Sequence, residues 1–582
     1  MVGPYWNAEG KWKIRGMTAA LIALTGLQIV IATSINRWVE NIFDALENRD
    51  MDGFLLMIGA AIAIVAANIV VTIFHLAVKR WIMIDWRKWL THRLLGEWMV
   101  SGRHYKVTQF GGEHSNPDGR IAEDIRLATN NAIDLAHSLL HAILIVVSFA
   151  AILWHLSGPS QVVFGELSFY LPGHMVWIAV LYATIGTVIA LWLGLPLIKA
   201  QNLRQTTEAD FRFGLAYARQ HSLQVALLHG EENEDQSLRA IFRNAIRSWS
   251  LQTRALITLF YFTSTWWILS QVFPILVASP RYLVGAITLG VLMQTVQAFQ
   301  QMVGAMSWPV DNVIAVADWR ASAERVLGLH NSLAGVEEKK AADPTTNIRI
   351  EKGNDARIVF DGLSLIDPDG APVMDSLSTE IVPRQRVLIA ADSDVGFTLF
   401  KAIAGLWPWG SGRVVLPGGE DLFFASRRPY LPLRSLRATV SYPRPAREFS
   451  DAAMTDALGR VGLERLADAL DRRAPWGEIL SEDEQRRLTF ARMLLFRPHW
   501  ILLQGALDVL TPETRSAMLR LLEEEFSDAA VIVVSQTHDL DAFATRRIDL
   551  RGGIAVLAGA ADRGSETKIP VSDGPFASAR RE

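Results

Sequence analysis

The chain has 582 residues, which is too long for one compact core and favours roughly two to four domains. Hydrophobic residues make up 50% of it, which points beyond a purely soluble protein, and the net charge of −3 gives no support for a nucleic-acid partner. It has no cysteine, which excludes disulfides, thiolate nucleophiles and cysteine metal sites.

Apolar segments long enough to cross a bilayer occur six times in the first part of the chain. They cover residues 17–35, 53–78, 135–156, 174–198, 254–278 and 282–306. The N-terminus lacks the short apolar region and small-residue cleavage site of a signal peptide, so we expect the first segment to be retained. The sequence therefore predicts a membrane domain with six spans.

Basic residues predict the orientation of these spans. Lys11, Lys13 and Arg15 precede the first span, and the second-to-third and fourth-to-fifth connections are long and rich in Lys and Arg. The third-to-fourth connection, LSGPSQVVFGELSFYLPG, contains neither. The positive-inside rule therefore places both termini and the two long loops in the cytoplasm. Apolar residues recur at helical spacing in WIMIDWRKWLTHRLLGEWM, so we expect these loops to be helical extensions of the spans.

The composition changes after the last span. Residues 331–349 are polar and aperiodic, which predicts a linker. Short runs such as QRVLIAA, WILLQGA and AVIVVSQTH then alternate with amphipathic helices, an order typical of an α/β domain with a mostly parallel sheet, over residues 350–560. Residues 561–582 are expected to form a disordered tail.

Several ordered stretches carry a resemblance to a known family. They are NPDGRIAEDIR at residues 116–126, EADFRF at 208–213, LHGEENE, AGLWPWGSGRV and RPYLP. Over residues 4–555 the chain resembles the ABC half-transporters that join an SbmA/BacA-like peptide permease to an ATPase domain, a group related to peroxisomal fatty-acyl transporters. The resemblance implies an exporter-type six-span helical domain, residues 1–330, followed by a P-loop NTPase-like nucleotide-binding domain.

The resemblance also implies residues that couple the two domains. They are Asn116, Asp118, Glu123, Glu208, Asp210 and Glu231. Structural explanations stand beside this one. Asn116 is equally suited to cap a helix that starts at Pro117, where Asp118 would favour the helix dipole, and Glu231 is equally a solvated charge.

The ATP-binding loop of the family has the pattern G-x-x-x-x-G-K-[ST]. The matching positions here are Ala391, Ser393, Asp394, Val395, Gly396, Phe397 and Thr398. Phe397 replaces the lysine that neutralises the phosphates, and Asp394 lies inside the loop. A carboxylate about 4 Å from a phosphate charge repels it by roughly 4 kcal/mol at an effective dielectric of 20. We therefore expect weak or absent ATP binding, with Thr398 as a magnesium ligand only if ATP binds.

The remaining nucleotide motifs have also lost residues that would bind or hydrolyse ATP. Gln504 and Gly505 stand where the family has the magnesium-binding aspartate and the general-base glutamate. The signature L-S-G-G-E-Q reads LSEDEQ, so Ser481 is followed by Glu482 and Asp483. The last two positions are Arg427, in place of a magnesium-sensing glutamine, and His538, which matches the family histidine. The sequence thus predicts the fold of an ATPase with impaired hydrolysis.

The resulting hypothesis is a homodimer in the inner membrane that moves peptides or other bulky solutes across the lipid bilayer. The alternatives are a conventional ATP-driven transporter, a pairing with a related intact half-transporter, a proton-coupled transporter and a non-transporting pseudo-ATPase. Proton candidates are Glu40, Asp44, His137 and His141, of which the histidines are also explained by interfacial placement. The apolar spans contain no Asp or Glu, which favours a wide wet cavity over a dedicated ion pair.

Overall fold

The structure is a computed structural model. It describes residues 2–8, 10–109, 116–158, 161–164, 167–170, 172–342, 348–418, 422–508, 510–536, 540–550 and 556–558. His538 and the predicted tail, residues 561–582, lie outside these ranges. The chain divides into two compact units, the first comprising residues 1–101 and 110–333 and the second residues 102–109 and 334–582.

Long helices build the first unit. They are α1 (Lys11–Glu47), α2 (Met51–Met99), α3 (Ile125–Ser157), α4 (His174–Gln220), α5 (Glu231–Leu283), α6 (Leu289–Met306) and α7 (Trp308–Ala342). Shorter pieces are the helices Val2–Trp6, Pro117–Gly119, Arg120–Asp124 and Ser222–Leu227, and the antiparallel strands β1 (Gln161–Phe164) and β2 (Leu167–Tyr170). The helix Arg103–Gln109 and the last part of α7, from residue 334, belong to the second unit. Within the described ranges, five helical segments, which contain α1 to α5, are long and apolar enough to cross a membrane.

Four of these helices continue well beyond the predicted spans, as the sequence indicates. Helix α1 runs on to Glu47 and α2 to Met99, and α4 ends only at Gln220. Helix α5 begins at Glu231, more than twenty residues before its predicted span. The long connections are therefore helical, because their apolar residues keep the period of the spans that precede them.

The predicted sixth span, residues 282–306, is wrong at its start. Helix α5 extends to Leu283, and α6 begins at Leu289, where the hydroxyl of Thr288 accepts the Val291 amide at 3.2 Å. Helix α6 contains four glutamines, at positions 294, 297, 300 and 301, and it is not among the five segments apolar enough to span. Its Phe299 and Met302 are buried among the other helices, so this helix packs against protein and does not need a fully apolar surface.

The predicted linker is also wrong in its first part. Helix α7 continues to Ala342, although residues 331–349 read as aperiodic. Leu333, in the first part of this stretch, is 1% exposed, so packing extends the helix past the point where the sequence pattern ends.

The second unit contains two sheets. The six-stranded sheet has the order β12–β11–β6–β10–β9–β8, parallel except for the β11–β12 pair, and the four-stranded sheet has the order β3–β7–β4–β5. The strands are β3 (Arg349–Gly353), β4 (Ile358–Ile366), β5 (Pro372–Ile381), β6 (Arg386–Ala390), β7 (Gly410–Pro417), β8 (Leu422–Ser426), β9 (Trp500–Gln504), β10 (Ala530–Ser535), β11 (Arg546–Asp549) and β12 (Val556–Ala558). The predicted fold class, a helical membrane domain followed by an α/β domain, is confirmed.

Helices cover the six-stranded sheet. They are α8 (Ser393–Ile403), α9 (Leu436–Val440), α10 (Asp451–Arg460), α11 (Glu482–Phe496) and α12 (Pro512–Glu525), with short turns at Ala446–Glu448, Glu464–Ala469 and Trp476–Ile479. Every residue of β9 and β10 is buried. Leu503 and Val531 pack on one face of the sheet and Leu502 and Ile532 on the other, as expected for parallel strands with two covered faces.

Candidate functional site

The nucleotide-motif positions meet at one edge of the six-stranded sheet. Helix α8 follows β6, Gln504 ends β9, and β10 lies between these two strands. Arg427 directly follows β8, the neighbour of β9. Because the carboxyl ends of parallel strands share an edge, the loop positions, Gln504 and Arg427 are brought together where open α/β sheets bind ligands.

The segment in place of the phosphate-binding loop is mostly helix. Helix α8 already begins at Ser393, and the Gly396 amide donates to the Asp392 carbonyl oxygen at 2.8 Å. In a phosphate-binding loop such amides are left free to bind the phosphates. Here an amide of the loop is used inside the helix. Asp394 lies in the first turn, where a carboxylate is favoured by the positive end of the helix dipole.

Phe397 stands where the sequence pattern calls for lysine. Its ring is 44% exposed, and the Nζ atom of Lys401 lies 4.8 Å from the ring centre. The same Nζ atom lies 3.9 Å from the centre of the Trp407 ring. Burial lowers the pKa of Lys401, and the charge of Asp394 opposes that shift. The cation nearest in sequence to the missing lysine is thus held over aromatic rings.

The two motif residues that survive have structural roles. A Cβ atom on Gly396 would lie 2.6 Å from Cγ1 of Val534, so only glycine allows α8 to pack this closely on β10. Thr398 is 7% exposed and belongs to the buried face of α8. Their presence is explained by packing as well as by nucleotide binding.

Arg427 covers the position of the general base. Gly505 has a φ of +62°, and a Cβ atom there would lie 3.3 Å from Cβ of Arg427. A glutamate at this position would meet both the strain of a left-handed backbone and the arginine stem. Gln504, beside it, is 9% exposed and offers a neutral amide where the family has a carboxylate.

The altered signature forms a regular helix start. Ser481 accepts the Glu484 amide at 3.2 Å and the Glu484 carboxylate accepts the Ser481 amide at 3.0 Å, which is a capping box. Glu482 pairs with Arg486 at 3.0 Å, and Asp483 pairs with Arg487 at 2.8 Å. The acidic residues therefore complement the N-terminal end of α11 through their own helix, without a bound phosphate.

The helix cap predicted for the first coupling motif is not formed. Asn116 occupies the N-cap position before Pro117 but has a φ of +105° and makes no side-chain cap hydrogen bond, so the predicted capping role is wrong. Asp118 is exposed. The following segment Arg120–Asp124 is a π-helical turn, a distortion that is frequent at functional positions.

The buried charge of this motif is one residue beyond the predicted one. Glu123 pairs with Arg126 at 3.6 Å on the surface. Asp124 is 7% exposed, and its two carboxylate oxygens accept from Nη2 and Nε of Arg325 at 2.6 and 2.8 Å. Sequence reasoning missed this pair because the partners are 201 positions apart.

The remaining coupling candidates lie on α4 and α5. Glu208 accepts the indole N–H of Trp249 at 2.6 Å, which links the two helices. Asp210 and Glu231 are exposed. Glu231 lies in the first turn of α5, where it favours the helix dipole.

The histidine candidates form a cluster with a residue that sequence reasoning missed. His75 of α2 and His137 of α3 have their Nε2 atoms 2.7 Å apart, and the His141 ring centre lies 6.2 Å from that of His137. Lys79 and Asp134, one turn away on the same two helices, pair at 2.9 Å. A histidine inside a predicted span was itself a usable signal.

The acidic proton candidates are not equivalent. Asp44 accepts the Gly290 amide at 2.9 Å, and Glu47 accepts the Leu289 amide at 2.8 Å, so two carboxylates of α1 satisfy the start of α6. The Glu40 carbonyl oxygen would lie 2.2 Å from a Cβ atom on Gly290. Asp44 therefore has a structural role in joining α1 to α6.

The family model "ABC transporter transmembrane region 2" matches residues 5–283. The chain is 26% identical over 540 residues to the Escherichia coli inner membrane ABC transporter ATP-binding protein YddA, covering 92% of this chain and 94% of that protein. It is also 26% identical over 606 residues to the chloroplastic ABC transporter D family member 2 of Arabidopsis thaliana, covering 92% and 83%.

Among solved structures, a bacterial Atm1-family ABC exporter with ATP bound has the same fold. The TM-score is 0.71 at 14% identity, with 93% of this chain and 94% of that chain covered. The membrane helices, the α/β unit and these relatives indicate the same domain organisation. The chain is thus a multi-pass membrane protein with the organisation of an ABC half-transporter, and D-family ABC transporters are among its relatives.

Proposed function

We propose that this chain is an SbmA/BacA-like transporter of the inner membrane that moves peptides or other bulky solutes as a homodimer, with impaired ATP hydrolysis. Both termini and the two long helical connections lie in the cytoplasm in this proposal, as the distribution of basic residues favours. The inner-membrane assignment follows the description of the Escherichia coli relative, and the relatives' names supply ATP as the ligand that an intact site would bind.

One observation supports impaired nucleotide binding most directly. The Gly396 amide donates a helical hydrogen bond to the Asp392 carbonyl oxygen. It removes a phosphate donor from the loop, while Asp394 adds repulsion of roughly 4 kcal/mol toward a phosphate charge about 4 Å away. Gln504 replaces the carboxylate that a hard cation such as magnesium prefers. The site has thus lost an amide donor for phosphate, gained a negative charge and lost a carboxylate ligand for magnesium. In this proposal ATP and magnesium therefore bind weakly or not at all.

Exposed apolar side chains support a dimer. Phe213 of α4 is 71% exposed, and Leu227 and Leu228, in the predicted cytoplasmic connection, are 71% and 82% exposed. This connection lies outside the predicted spans, so lipid does not cover these side chains. Large apolar side chains exposed outside the membrane favour burial against another protein, and a second copy supplies that partner in the proposed homodimer.

The proposal is tested by peptide uptake into proteoliposomes that contain the purified full-length chain. Uptake above that of protein-free liposomes, unchanged when internal Mg-ATP is supplied or omitted, is the expected result. Uptake that requires Mg-ATP and is lost in Thr398→Ala identifies a conventional ATP-driven transporter. Hydrolysis that appears only with a co-purified half-transporter identifies a heterodimer, and absence of uptake under all conditions identifies a non-transporting pseudo-ATPase.

A proton-coupled transporter is the second candidate, favoured by the contact between His75 and His137. Two imidazoles whose Nε2 atoms lie at hydrogen-bond distance can share a proton, and a second proton places two like charges between α2 and α3. An imposed pH gradient is expected to drive uptake, and His137→Gln is expected to remove that dependence. The exposed His155, changed to Gln, is the matched control. Uptake that does not depend on the pH gradient contradicts this candidate.

A further inference from the structure

A basic surface lies where α1 begins and where α2 leaves its predicted span. Residues 9–15 precede the predicted first span and residues 79–88 follow the second, so the two stretches lie at the same membrane boundary. They contain seven basic residues, namely Lys11, Lys13, Arg15, Lys79, Arg80, Arg87 and Lys88. Their acidic residues are Glu9 and Asp85. The excess of positive charge suits an anionic partner.

Buried packing holds these two stretches together. Ile14 of α1 is buried in one cluster with Ile82 and Trp86 of α2 and with Tyr5. The Tyr5 ring stacks on Trp86 with the ring centres 5.8 Å apart, and its hydroxyl donates to the Asp85 carboxylate at 2.9 Å. The ends of the two helices are therefore fixed beside each other, and the carboxylate of Asp85 is engaged by Tyr5.

Four of the seven cations are unpaired within the residues that the structure describes. Lys79 pairs with Asp134 at 2.9 Å, and Arg15 and Arg87 donate to neutral oxygens. The other four are exposed and make no side-chain hydrogen bond or ion pair in the described ranges, and they are Lys11, Lys13, Arg80 and Lys88. Cations at a membrane boundary that no carboxylate neutralises are available to anionic lipid headgroups.

One side of α2 joins these cations to an apolar surface. Phe74, Trp81, Ile84 and Lys88 follow one another at helical spacing and are all exposed, and Arg80 is adjacent to Trp81. Phe74, inside the predicted second span, is 60% exposed, and Trp81 and Ile84, beyond it, are 64% and 63% exposed. The lipid-facing side of α2 therefore continues to the boundary where the cations lie. Tryptophan is favoured at this depth, because its ring is apolar and its N–H group is polar.

These features match both parts of a phospholipid. We propose that this side of α2 binds an anionic phospholipid of the adjacent leaflet, with the phosphate on Arg80 and Lys88 and the first acyl carbons against Trp81 and Ile84. In the proposed orientation this is the cytoplasmic leaflet. A soluble anion would pair with the cations but would leave the apolar side chains in water, so a lipid fits the surface better.

Lipid binding to the full-length protein, purified in detergent, tests the proposal. Native mass spectrometry resolves the number of bound lipids during titration with phosphatidylglycerol or with phosphatidylcholine of the same acyl chains. Phosphatidylglycerol is expected to bind about twentyfold more tightly, since each basic residue at a membrane surface contributes about fivefold to the binding of an anionic lipid. The measurement involves no transport, so its outcome is independent of the proposed function.

Matched variants separate a local site from overall charge. Arg80→Gln combined with Lys88→Gln is expected to make the two lipids bind nearly equally. The control is Lys199→Gln combined with Arg254→Gln, which removes the same charge from exposed positions at the corresponding boundary of α4 and α5 and is expected to keep the selectivity. Trp81→Ala is expected to weaken both lipids, because the indole contacts the part that they share. Size-exclusion profiles that match the unaltered protein establish that each variant is folded.

Equal binding of the two lipids to the unaltered protein overturns the proposal, and so does a selectivity that both double variants lose alike. Displacement of phosphatidylglycerol by millimolar inorganic phosphate assigns the cations to a soluble anion. Selectivity confined to the monomer shows that a second copy covers this side of α2. Either of these results also overturns the lipid site. Unchanged binding in Trp81→Ala contradicts the contact between the lipid and the tryptophan.

Discussion

The Nζ atom of Lys401 lies 4.8 Å from the ring centre of Phe397, the residue in the position of the phosphate-loop lysine. A cation over an aromatic ring is held by the ring's negative face. Because Trp407 contacts the same atom at 3.9 Å, the charge has two partners and is not available to a phosphate without breaking both contacts. The altered loop is therefore a packed structure with its own interactions.

We expect Phe397→Lys alone to leave nucleotide binding undetected. The new cation restores one attraction, but Asp394 still repels phosphate by roughly 4 kcal/mol and the Gly396 amide stays within α8. Adding Asp394→Gly is expected to produce measurable binding of a fluorescent ATP analogue, because glycine both removes the charge and weakens the first turn of the helix. Tight binding in the single variant would show that the lysine alone was missing.

Gly290 is expected to be indispensable to the packing of α6 on α1. A Cβ atom there would lie 2.2 Å from the Glu40 carbonyl oxygen and 2.3 Å from Oδ1 of Asp44, so Gly290→Ala must separate the helices. We expect a loss of about 3 kcal/mol or more, seen as a lower thermal midpoint.

The control for this substitution lies on the same helix. Nothing lies within 4 Å of a Cβ atom on Gly304, so Gly304→Ala is expected to be neutral or to stabilise the protein by about 0.5–1 kcal/mol. Equal effects of the two substitutions would contradict the close approach of α6 to α1.

The Asp124–Arg325 pair is expected to hold the π-helical turn against α7. Arg325→Met leaves a carboxylate that is 7% exposed without its bidentate partner, which costs about 2 kcal/mol. Thermal unfolding of the full-length chain measures the loss. Arg320→Met is the control, since Arg320 and Glu324 form an exposed pair on the same helix and should contribute little to stability. Identical midpoints for the two variants would remove the structural role of the buried pair.

Glu484 is expected to make the second unit sensitive to acid. The hydrogen bonds from Arg465 lower the pKa of Glu484 below its ordinary value of 4.5, burial opposes the shift, and the cap contacts with Ser481 assist it. A carboxyl with a lowered pKa stabilises the fold above about pH 4.5, and this contribution is lost as the pH falls through the lower folded value.

Glu484→Gln is therefore expected to cost about 1 kcal/mol at neutral pH and to show a smaller further loss in acid. Unfolding followed as a function of pH measures both effects. Glu482→Gln, on the same turn but with a side chain that is 76% exposed, is expected to change the acid response little. An unaltered pH profile in the Glu484 variant would contradict the assignment.

The sequence predicted those features that follow from composition and spacing. The first five spans lie within α1 to α5, because the part of a helix that crosses the lipid must be apolar. The start of α6 was predicted wrongly because this helix packs against other helices and carries glutamines. Hydropathy measures apolar character and gives no information on such packing. Phe397 and Glu482 could be identified because the motif spacing around them is kept.

Contacts between distant residues could not be predicted. Nothing in the sequence pairs His75 with His137 or Asp124 with Arg325, since the helices that bring them together are positioned by tertiary packing. The early start of α8, in contrast, could have been predicted from the sequence. Once the first glycine of the loop is replaced, Asp392 and Asp394 are the residues that helix N-termini favour.

Titration of Mg-ATP against the purified full-length protein tests the central claim most directly. The altered loop, the acidic signature and the missing magnesium ligand together predict no saturable binding at millimolar nucleotide, both in the unaltered chain and in Thr398→Ala. Saturable micromolar binding that disappears in Thr398→Ala would contradict the account and show that the loop opens to accept the phosphates.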